Sequence, residues 1–198
     1  MLYSWVSFWF CYLMGGCFLY NDSVKMLENH HVTTKELLNT LGINAFITFL
    51  FIPIANCIPT LIYVPNTLYG YIMRIIIALM IGDLCFYWSH RLFHHRRFYF
   101  LHKKHHLYVK PNALAGLYCS PIEMLISNHL SMVIPLKIIS CYSDEMLMIE
   151  SGIVALNILK SHSGYDMLSG THHMTHHELL NCNFGFSYIT DYVFGTYR

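Results

Sequence analysis

Five apolar runs take up most of this chain and restrict it to a membrane architecture. A helix needs about 20 apolar residues to cross the hydrocarbon core of a bilayer, and the runs are 2–20, 41–64, 70–89, 114–139 and the shorter 146–160. The chain is 55% hydrophobic and 12% charged, too apolar for an ordinary soluble domain. We therefore predict a single all-α domain over residues 1–198, a polytopic membrane helical bundle with about four or five spans. Pro53 and Pro59 predict a kink in the second span.

Basic residues between the third and fourth runs indicate the topology. Six of the twelve Lys and Arg residues lie in this connection: Arg91, Arg96, Arg97, Lys103, Lys104 and Lys110. Such an excess marks the cytosolic side of a membrane protein, although contact with anionic lipid or an acidic protein is an alternative explanation. Residues 114–160 then form a membrane hairpin, of which 146–160 could be only partly inserted. Three spans in residues 1–89 are therefore followed by a region, 90–198, whose histidine-rich segments form a helical cap in the cytosol.

Charge and cysteine content exclude several other classes of protein. A net charge of +1 creates no field that would attract nucleic acid, so we expect no such partner. The seven cysteines form no CxxC pair and lie mostly in apolar runs, which argues against a disulfide framework or a zinc finger. The run 2–20 follows no basic residue and shows no clear cleavage site, so we predict a retained span rather than a cleaved signal peptide.

Nine of the fourteen histidines fall into spaced clusters. The first cluster is an HxxxH pair at the end of the third run, and the second and third are HxxHH motifs about 70 residues apart, spacings that place the imidazoles on one face of a helix. A ninth histidine lies in the sequence His-Ser-Gly-Tyr-Asp. The candidates are His90, His94, His102, His105, His106, His162, His173, His176 and His177.

So many imidazoles indicate two metal ions rather than one tetrahedral site. Neutral imidazole suits iron, zinc and copper alike, and the spacing alone does not choose between them. His95 and His172 adjoin the motifs but are out of register with them, so we expect them to be bystanders.

Several other polar residues are candidates for roles around this centre. Asp83 and Tyr87 precede His90 on the same helical face, and Asp83 could accept a hydrogen bond from the outer nitrogen of a ligand imidazole. Asp166, with Tyr165 beside it, is expected to orient His162. Glu123 could either line a substrate cavity or face the lipid headgroups.

The chain from about Asp83 to Thr196 resembles the membrane-bound fatty acid hydroxylase and sterol desaturase superfamily. Within that superfamily it is most similar to the C-4 methylsterol oxidases. The resemblance rests on the three histidine motifs in their order and on His162-Ser-Gly-Tyr-Asp166, Ser120-Pro-Ile-Glu123, Asn183-Phe-Gly185 and Asp191-Tyr-Val-Phe-Gly-Thr196.

The resemblance implies an endoplasmic reticulum membrane enzyme with two iron ions held by the nine histidines. It implies that O2 and two electrons are used to oxidise an unactivated C–H bond of a membrane lipid. The electrons would come from NAD(P)H through cytochrome b5 or a reductase. A sterol C-4 methyl group is the expected target, although Pro111-Asn-Ala-Leu114 and Ser120-Pro121 depart from the methylsterol oxidase pattern.

Other functions are compatible with the same motifs. A sterol desaturase, or a fatty acid or sphingolipid hydroxylase, would need the same site, because the hydrogen that faces the oxidant decides the product. A non-catalytic metal- or lipid-binding membrane protein is a second class, but complete histidine motifs argue against it. A metal transporter is a third class, and it would need ligands along a path through the membrane.

Overall fold

The computed structural model describes residues 2–19, 32–65, 67–110, 112–139, 144–163 and 171–198. Over these ranges the chain is helical, and its only β-type pairing is an isolated parallel bridge between Ile62 and Ile139. The α-helices are α1 Leu2–Phe18, α2 Thr34–Leu50, α3 Ile52–Asn56, α4 Leu68–Phe93, α5 Tyr99–His102, α6 Pro121–Glu123, α7 Ser131–Ile138, α8 Asp144–Ser161, α9 Thr171–Leu179 and α10 Tyr188–Val193. Short 3-10 helices span His105–Leu107 and Ala113–Leu117, and a π-helix spans Met124–Leu130. The all-α prediction is confirmed for the described residues.

In the part of the chain that the structure describes, two helical segments are long and apolar enough to cross a membrane. They are Thr34–Asn56, formed by α2 and α3 with 23 residues, and α4 with 26 residues. Both segments leave large apolar side chains on the outside of the protein, including Phe46, Ile54 and Met80. A soluble protein rarely exposes such a surface, whereas lipid covers it well. The count of four or five spans and the cytosolic side of the cap remain predictions.

The second apolar run is shorter as a helix than the sequence suggests. Pro53 falls in the first turn of α3, directly after the junction with α2, where its missing N–H costs no helical hydrogen bond. Pro59 lies beyond the end of α3, in an irregular connection that leads to α4. The helix assignment is therefore interrupted at Phe51, two residues before Pro53, whereas Pro59 lies in the non-helical part of the run.

Helix α1 packs mainly against α8, and the 3-10 helix Ala113–Leu117 rests on this pair. Gly16 allows a close approach, because a Cβ atom there would overlap the Leu114 side chain. The hydroxyl of the fully buried Tyr12 donates to the Leu114 carbonyl at 2.9 Å and accepts from the Leu117 N–H at 3.1 Å. These bonds pair buried backbone polar groups of the 3-10 helix Ala113–Leu117 and hold it below the histidine motifs.

Candidate metal centre

Nine imidazole rings converge above α4 and form two adjacent groups. In each group, one side-chain nitrogen per residue lies within 4.8 Å of the others. The first group is His90, His94, His102, His106 and His176, and the second is His105, His162, His173 and His177. These are the histidines that the spacing singles out, while His95 and His172 belong to neither group. Their assignment as metal ligands remains a proposal.

The first pair of histidines lies where α4 ends. His90 is in the last turn, and His94 caps the helix in helical backbone geometry. Four residues make slightly more than one turn, so the two side chains lie on one face. Their ring centroids are 5.2 Å apart.

Each HxxHH motif contributes to both groups. In the HxxHH motif at 102–106, His102 and His106 belong to the first group and His105 to the second. In the motif at 173–177, His173 and His177 belong to the second group and His176 to the first. The two outer histidines of a motif thus remain together, and the middle position faces the other group. This alternation joins the two groups into one centre, with the His106 and His177 centroids 4.6 Å apart.

Carbonyl oxygens and one carboxylate orient four of these rings. The Nδ1–H groups donate as follows: His90 to the Phe184 carbonyl at 2.7 Å, His176 to the Cys182 carbonyl at 2.7 Å, His162 to the Ile158 carbonyl at 2.9 Å and His102 to Glu123 Oε1 at 2.7 Å. A carbonyl oxygen can only accept, so these contacts fix the tautomers of His90, His162 and His176. The Nε2 lone pairs therefore point to the centre of the groups.

The Nε2 lone pairs face one another at distances that suit a shared cation. His102 Nε2 lies 3.1 Å from His90 Nε2 and 2.9 Å from His106 Nε2. Two nitrogens bound to one metal at about 2.1 Å, at right angles, would be about 3 Å apart. In the described part of the chain, His173 Nε2, His176 Nε2 and both nitrogens of His177 are buried without a hydrogen-bond partner. Since buried polar atoms rarely remain unpaired, this donor set fits metal ions.

Burial also keeps the imidazoles in the form that binds metal. Desolvation lowers the pKa of His94 to about 4, of His106 to about 3 and of His162 to about 4. For the other histidines outside the membrane-spanning helix, burial and neighbouring imidazoles lower the pKa well below its ordinary value: His102, His105, His173, His176 and His177. Neutral rings with free lone pairs therefore predominate at pH 7.

Among the described residues, Glu123 is the acid that contacts a histidine of the two groups, and sequence reasoning did not give it this role. Its helix starts with a capping sequence, in which Ser120 Oγ accepts from the Glu123 N–H at 3.2 Å. In a capping box the glutamate would turn back to the first residue, whereas here its carboxylate accepts from His102 at 2.7 Å. The Ser-x-x-Glu spacing shows where the helix begins, but it carries no sign of the contact with His102.

Asp83 and Tyr87 lie beneath the centre and contact the C-terminal segment. Within the described residues, Asp83 accepts from the Ser187 N–H at 2.9 Å, the Ser187 hydroxyl at 2.6 Å and the Thr190 N–H and hydroxyl. These bonds attach the start of α10 to α4, and none of them reaches a histidine ring. The Tyr87 hydroxyl accepts from Arg91 at 2.7 Å and lies 3.1 Å from the Thr196 hydroxyl. Asp166 and Tyr165 lie outside the described residues.

Asp191 and Asn183 hold the loop that orients His90 and His176. The Asp191 carboxylate accepts from the Phe184 N–H at 2.8 Å and the Gly185 N–H at 2.9 Å. Asn183 has a positive φ of 54° and donates from its amide to the His172 carbonyl at 3.0 Å. Both residues lie in motifs on which the family resemblance rests, and the sequence alone predicts no role for them in the centre. Their contacts keep the two carbonyl acceptors in place.

A cavity of about 260 Å³ opens below the histidine groups. Its upper end includes His90, His102, His105, His162 and His173. The walls further down are mostly apolar and include Leu79, Phe86, Met132, Ile153 and Val154. The nitrogen donors thus lie at one end of an apolar chamber.

Comparison with known proteins identifies the family. The family model described as fatty acid hydroxylase matches residues 75–196, which contain all nine histidines and the oriented loop. The chain belongs to the fatty acid hydroxylase family. The expected relationship is therefore confirmed. The family includes oxidoreductases that act on sterols and other lipids.

Several curated relatives of this fatty acid hydroxylase family member carry more specific names. Fatty acid hydroxylase domain-containing protein 2 of Homo sapiens is 33% identical over 66% of this chain and 40% of its own length. C-4 methylsterol oxidase erg25 of Schizosaccharomyces pombe is 30% identical over 59% of this chain and 44% of its own length. Delta(7)-sterol 5(6)-desaturase erg3C of Aspergillus fumigatus is 30% identical over 62% of this chain and 48% of its own length. The chain thus spans less than half of each of these relatives, and no solved structure matches it significantly.

Proposed function

We propose that this protein is a membrane-bound di-iron oxygenase that oxidises an unactivated C–H bond of a lipid. The observation that carries this proposal is the position of two groups of nitrogen donors at one end of an apolar cavity. A lipid in the cavity would bring a C–H bond against the histidines. Membership of an oxidoreductase family supports the same function.

The five histidines of the first group and the four of the second would each hold one iron ion. Bound iron would supply the O2 activation that no side chain can perform. His90, His102, His162 and His176 are held through Nδ1, and their Nε2 atoms need no rearrangement to bind a metal. The apolar walls bind the lipid and exclude bulk water.

A sterol C-4 methyl group is the first substrate to test. The sequence motifs resemble the methylsterol oxidases, and a relative bears the name C-4 methylsterol oxidase. A sterol desaturase or a fatty acid or sphingolipid hydroxylase is the alternative, and relatives named as a sterol desaturase and a fatty acid hydroxylase favour it. A non-catalytic metal- or lipid-binding protein is a further alternative.

The remaining parts of the proposal concern the setting of the reaction. We place the protein in the endoplasmic reticulum membrane with the histidine motifs facing the cytosol. Electrons from NAD(P)H would then arrive through cytochrome b5 or a reductase. The exposed residues Arg96, Arg97 and Lys103 lie on the histidine side and would favour an acidic donor.

The proposal is tested by measuring iron content, O2 consumption and lipid products together. The purified full chain is loaded with iron and supplied with a competent reductase and a panel of sterols, fatty acids and sphingolipids, and products are identified by mass spectrometry. We expect about two iron ions per chain by the ligand count, together with one oxidised lipid. His105→Ala and His176→Ala should each abolish turnover, whereas His95→Ala, an exposed neighbour outside both groups, should retain it.

Two results would contradict the proposal in different ways. Turnover that survives both His105→Ala and His176→Ala would refute the metal assignment. Iron-loaded protein that consumes no O2 with any lipid of the panel would instead favour the non-catalytic alternative.

A further inference from the structure

The cavity has walls on two helices that hardly touch each other. Leu79 and Phe86 of α4 line one side, and Ile153, Asn157 and Lys160 of α8 line the other. Within the described part of the chain, α8 packs on α1, on Ala113–Leu117 and on α9, whereas α4 packs on α5, α7, α10 and the π-helix. Phe186 joins the two walls, because its ring packs on Phe86 and its carbonyl accepts from Asn157. The cavity therefore lies between α4 and α8.

Ile153 marks a place where the cavity comes close to the outer surface. Its side chain lines the cavity, and yet 42% of the residue is exposed at the outer surface. Ile149, one turn before Ile153 on α8, is more than half exposed, and so is Met80 on α4. A bilayer would cover these apolar side chains, so the cavity would face lipid rather than water at Ile153.

Two polar side chains follow Ile153 on the cavity face of α8. Asn157 and Lys160 come four and seven residues later, which is helical spacing, and both line the cavity. Asn157 makes one long hydrogen bond, from Nδ2 to the Phe186 carbonyl at 3.5 Å, so its amide oxygen has capacity for another partner. Lys160 carries a positive charge at the end of α8 next to the histidines.

We propose that the substrate lipid enters sideways between α4 and α8 and that Asn157 and Lys160 bind a hydroxyl group at its polar end. This inference rests on the proposed function and adds an orientation to it. Asn157 precedes His162 by five residues, or about 7.5 Å along a helix. The carbons next to the bound hydroxyl then lie nearest to the second histidine group. The site therefore fits a lipid that is oxidised close to its hydroxyl, as a 4-methylsterol would be.

The size of the cavity agrees with a lipid that extends beyond it. Pockets that enclose a drug-sized ligand measure about 300–1,000 Å³, whereas this cavity measures about 260 Å³. A second chamber of about 60 Å³ shares Asn128, Met132, Val154 and Ile158 with it. Rotation of the flexible Met132 would connect the two chambers. The polar end of the lipid would remain at Asn157, and its apolar end would occupy the second chamber.

The polar contact is tested by sterol binding to the full chain in lipid nanodiscs, without added iron. The probes are dehydroergosterol, a fluorescent sterol with a free 3-hydroxyl, and its 3-O-methyl ether. We expect the free sterol to bind about 5–10-fold more tightly, the value of roughly one hydrogen bond. Asn157→Leu should remove this preference and leave the affinity for the ether unchanged. Lys160→Met should reduce the preference for the free sterol. The exposed Asn39→Leu is the matched control.

The entry route is tested by blocking it. Ile153→Trp should slow the uptake of both probes at least tenfold, and Leu156→Trp, at an exposed α8 position that lines neither chamber, should have no effect. Equal uptake rates in these two variants would refute entry between α4 and α8. An unchanged preference in Asn157→Leu, or no binding of either probe, would refute the hydroxyl site. A fatty acid that binds more tightly than the sterol and depends on Lys160 would also overturn the hydroxyl assignment.

Failure of this inference can be distinguished from failure of the proposed function. The binding tests need neither iron nor turnover, so a lipid site could be demonstrated in a protein that oxidises nothing. Conversely, an active oxygenase in which Asn157→Leu and Ile153→Trp behave like their controls would retain the proposed function and refute the entry route and the hydroxyl contact.

Discussion

Glu123→Gln should weaken iron binding by the first histidine group without emptying the second. The Glu123 carboxylate accepts from His102 Nδ1–H at 2.7 Å, and both side chains are buried. Burial raises the pKa of Glu123, and bound iron would favour its ionised form. A hydrogen bond to that charged group contributes about 1.5–3 kcal/mol, whereas the neutral bond that glutamine keeps contributes about 0.5–1.5 kcal/mol. The difference of about 1–2 kcal/mol corresponds to a roughly 5–30-fold loss of iron affinity. This agrees with the usual effect of removing a group that orients a metal ligand.

The assay is the iron content of the anaerobic protein against increasing concentrations of a chelator. Wild-type protein should release its two ions at similar chelator concentrations, whereas Glu123→Gln should release one ion earlier than the other. Glu178→Gln is the control, because this residue is exposed and directly follows His177. If Glu123→Gln and Glu178→Gln retain iron equally well, Glu123 does not support a ligand. If Glu123→Gln loses both ions together, the two groups are not separate sites.

Three further predictions concern the loop, the titration of the rings and the turn below them. Asp191→Asn should lower iron content, because one of its two accepting oxygens becomes a donor facing the Phe184 or Gly185 N–H; unchanged metal content would contradict this. Burial lowers the pKa of His94 to about 4 and of His106 to about 3. An unfolded histidine has a pKa of about 6.5, so the unfolded state binds more protons and the metal-free protein should lose stability as the pH falls from about 6.5 towards 4. Melting temperatures that are equal at pH 7.5 and 5 would refute this. Tyr12→Phe should cost about 1–3 kcal/mol in unfolding free energy, because it removes two buried hydrogen bonds of the Tyr12 hydroxyl, whereas the exposed Tyr3→Phe should be neutral in the same denaturation assay.

The parts of the centre that local periodicity governs could be predicted from the sequence. His90 and His94 are separated by one helical turn, and the structure places their rings 5.2 Å apart. The same spacing keeps His102 with His106 and His173 with His177. The division of each motif between two groups could not be predicted in this way. It depends on how the segments that carry the motifs meet, and spacing within one segment contains no information about the other.

The roles of the acids show where reasoning from one helix stops. Asp83 lies on the same helical face as His90, which made it the expected partner of a ligand imidazole. In the structure its carboxylate holds Ser187 and Thr190, more than 100 residues away, and Glu123 contacts His102 across a separation of 21 residues. Helical periodicity can indicate which residues share a face, but it does not indicate which segment the fold will bring against that face.

The contacts of Asp83 also make the C-terminal segment part of the centre. Asp83 attaches the start of α10 to α4, and Asp191 within α10 then holds the loop whose Phe184 carbonyl orients His90. Both ends of this series lie on α4, since His90 follows Asp83 by seven residues. The orientation of His90 therefore depends on an acid two turns below it, although the two side chains share no hydrogen bond. An acid on the same face as a ligand can thus support it through the backbone of a distant loop.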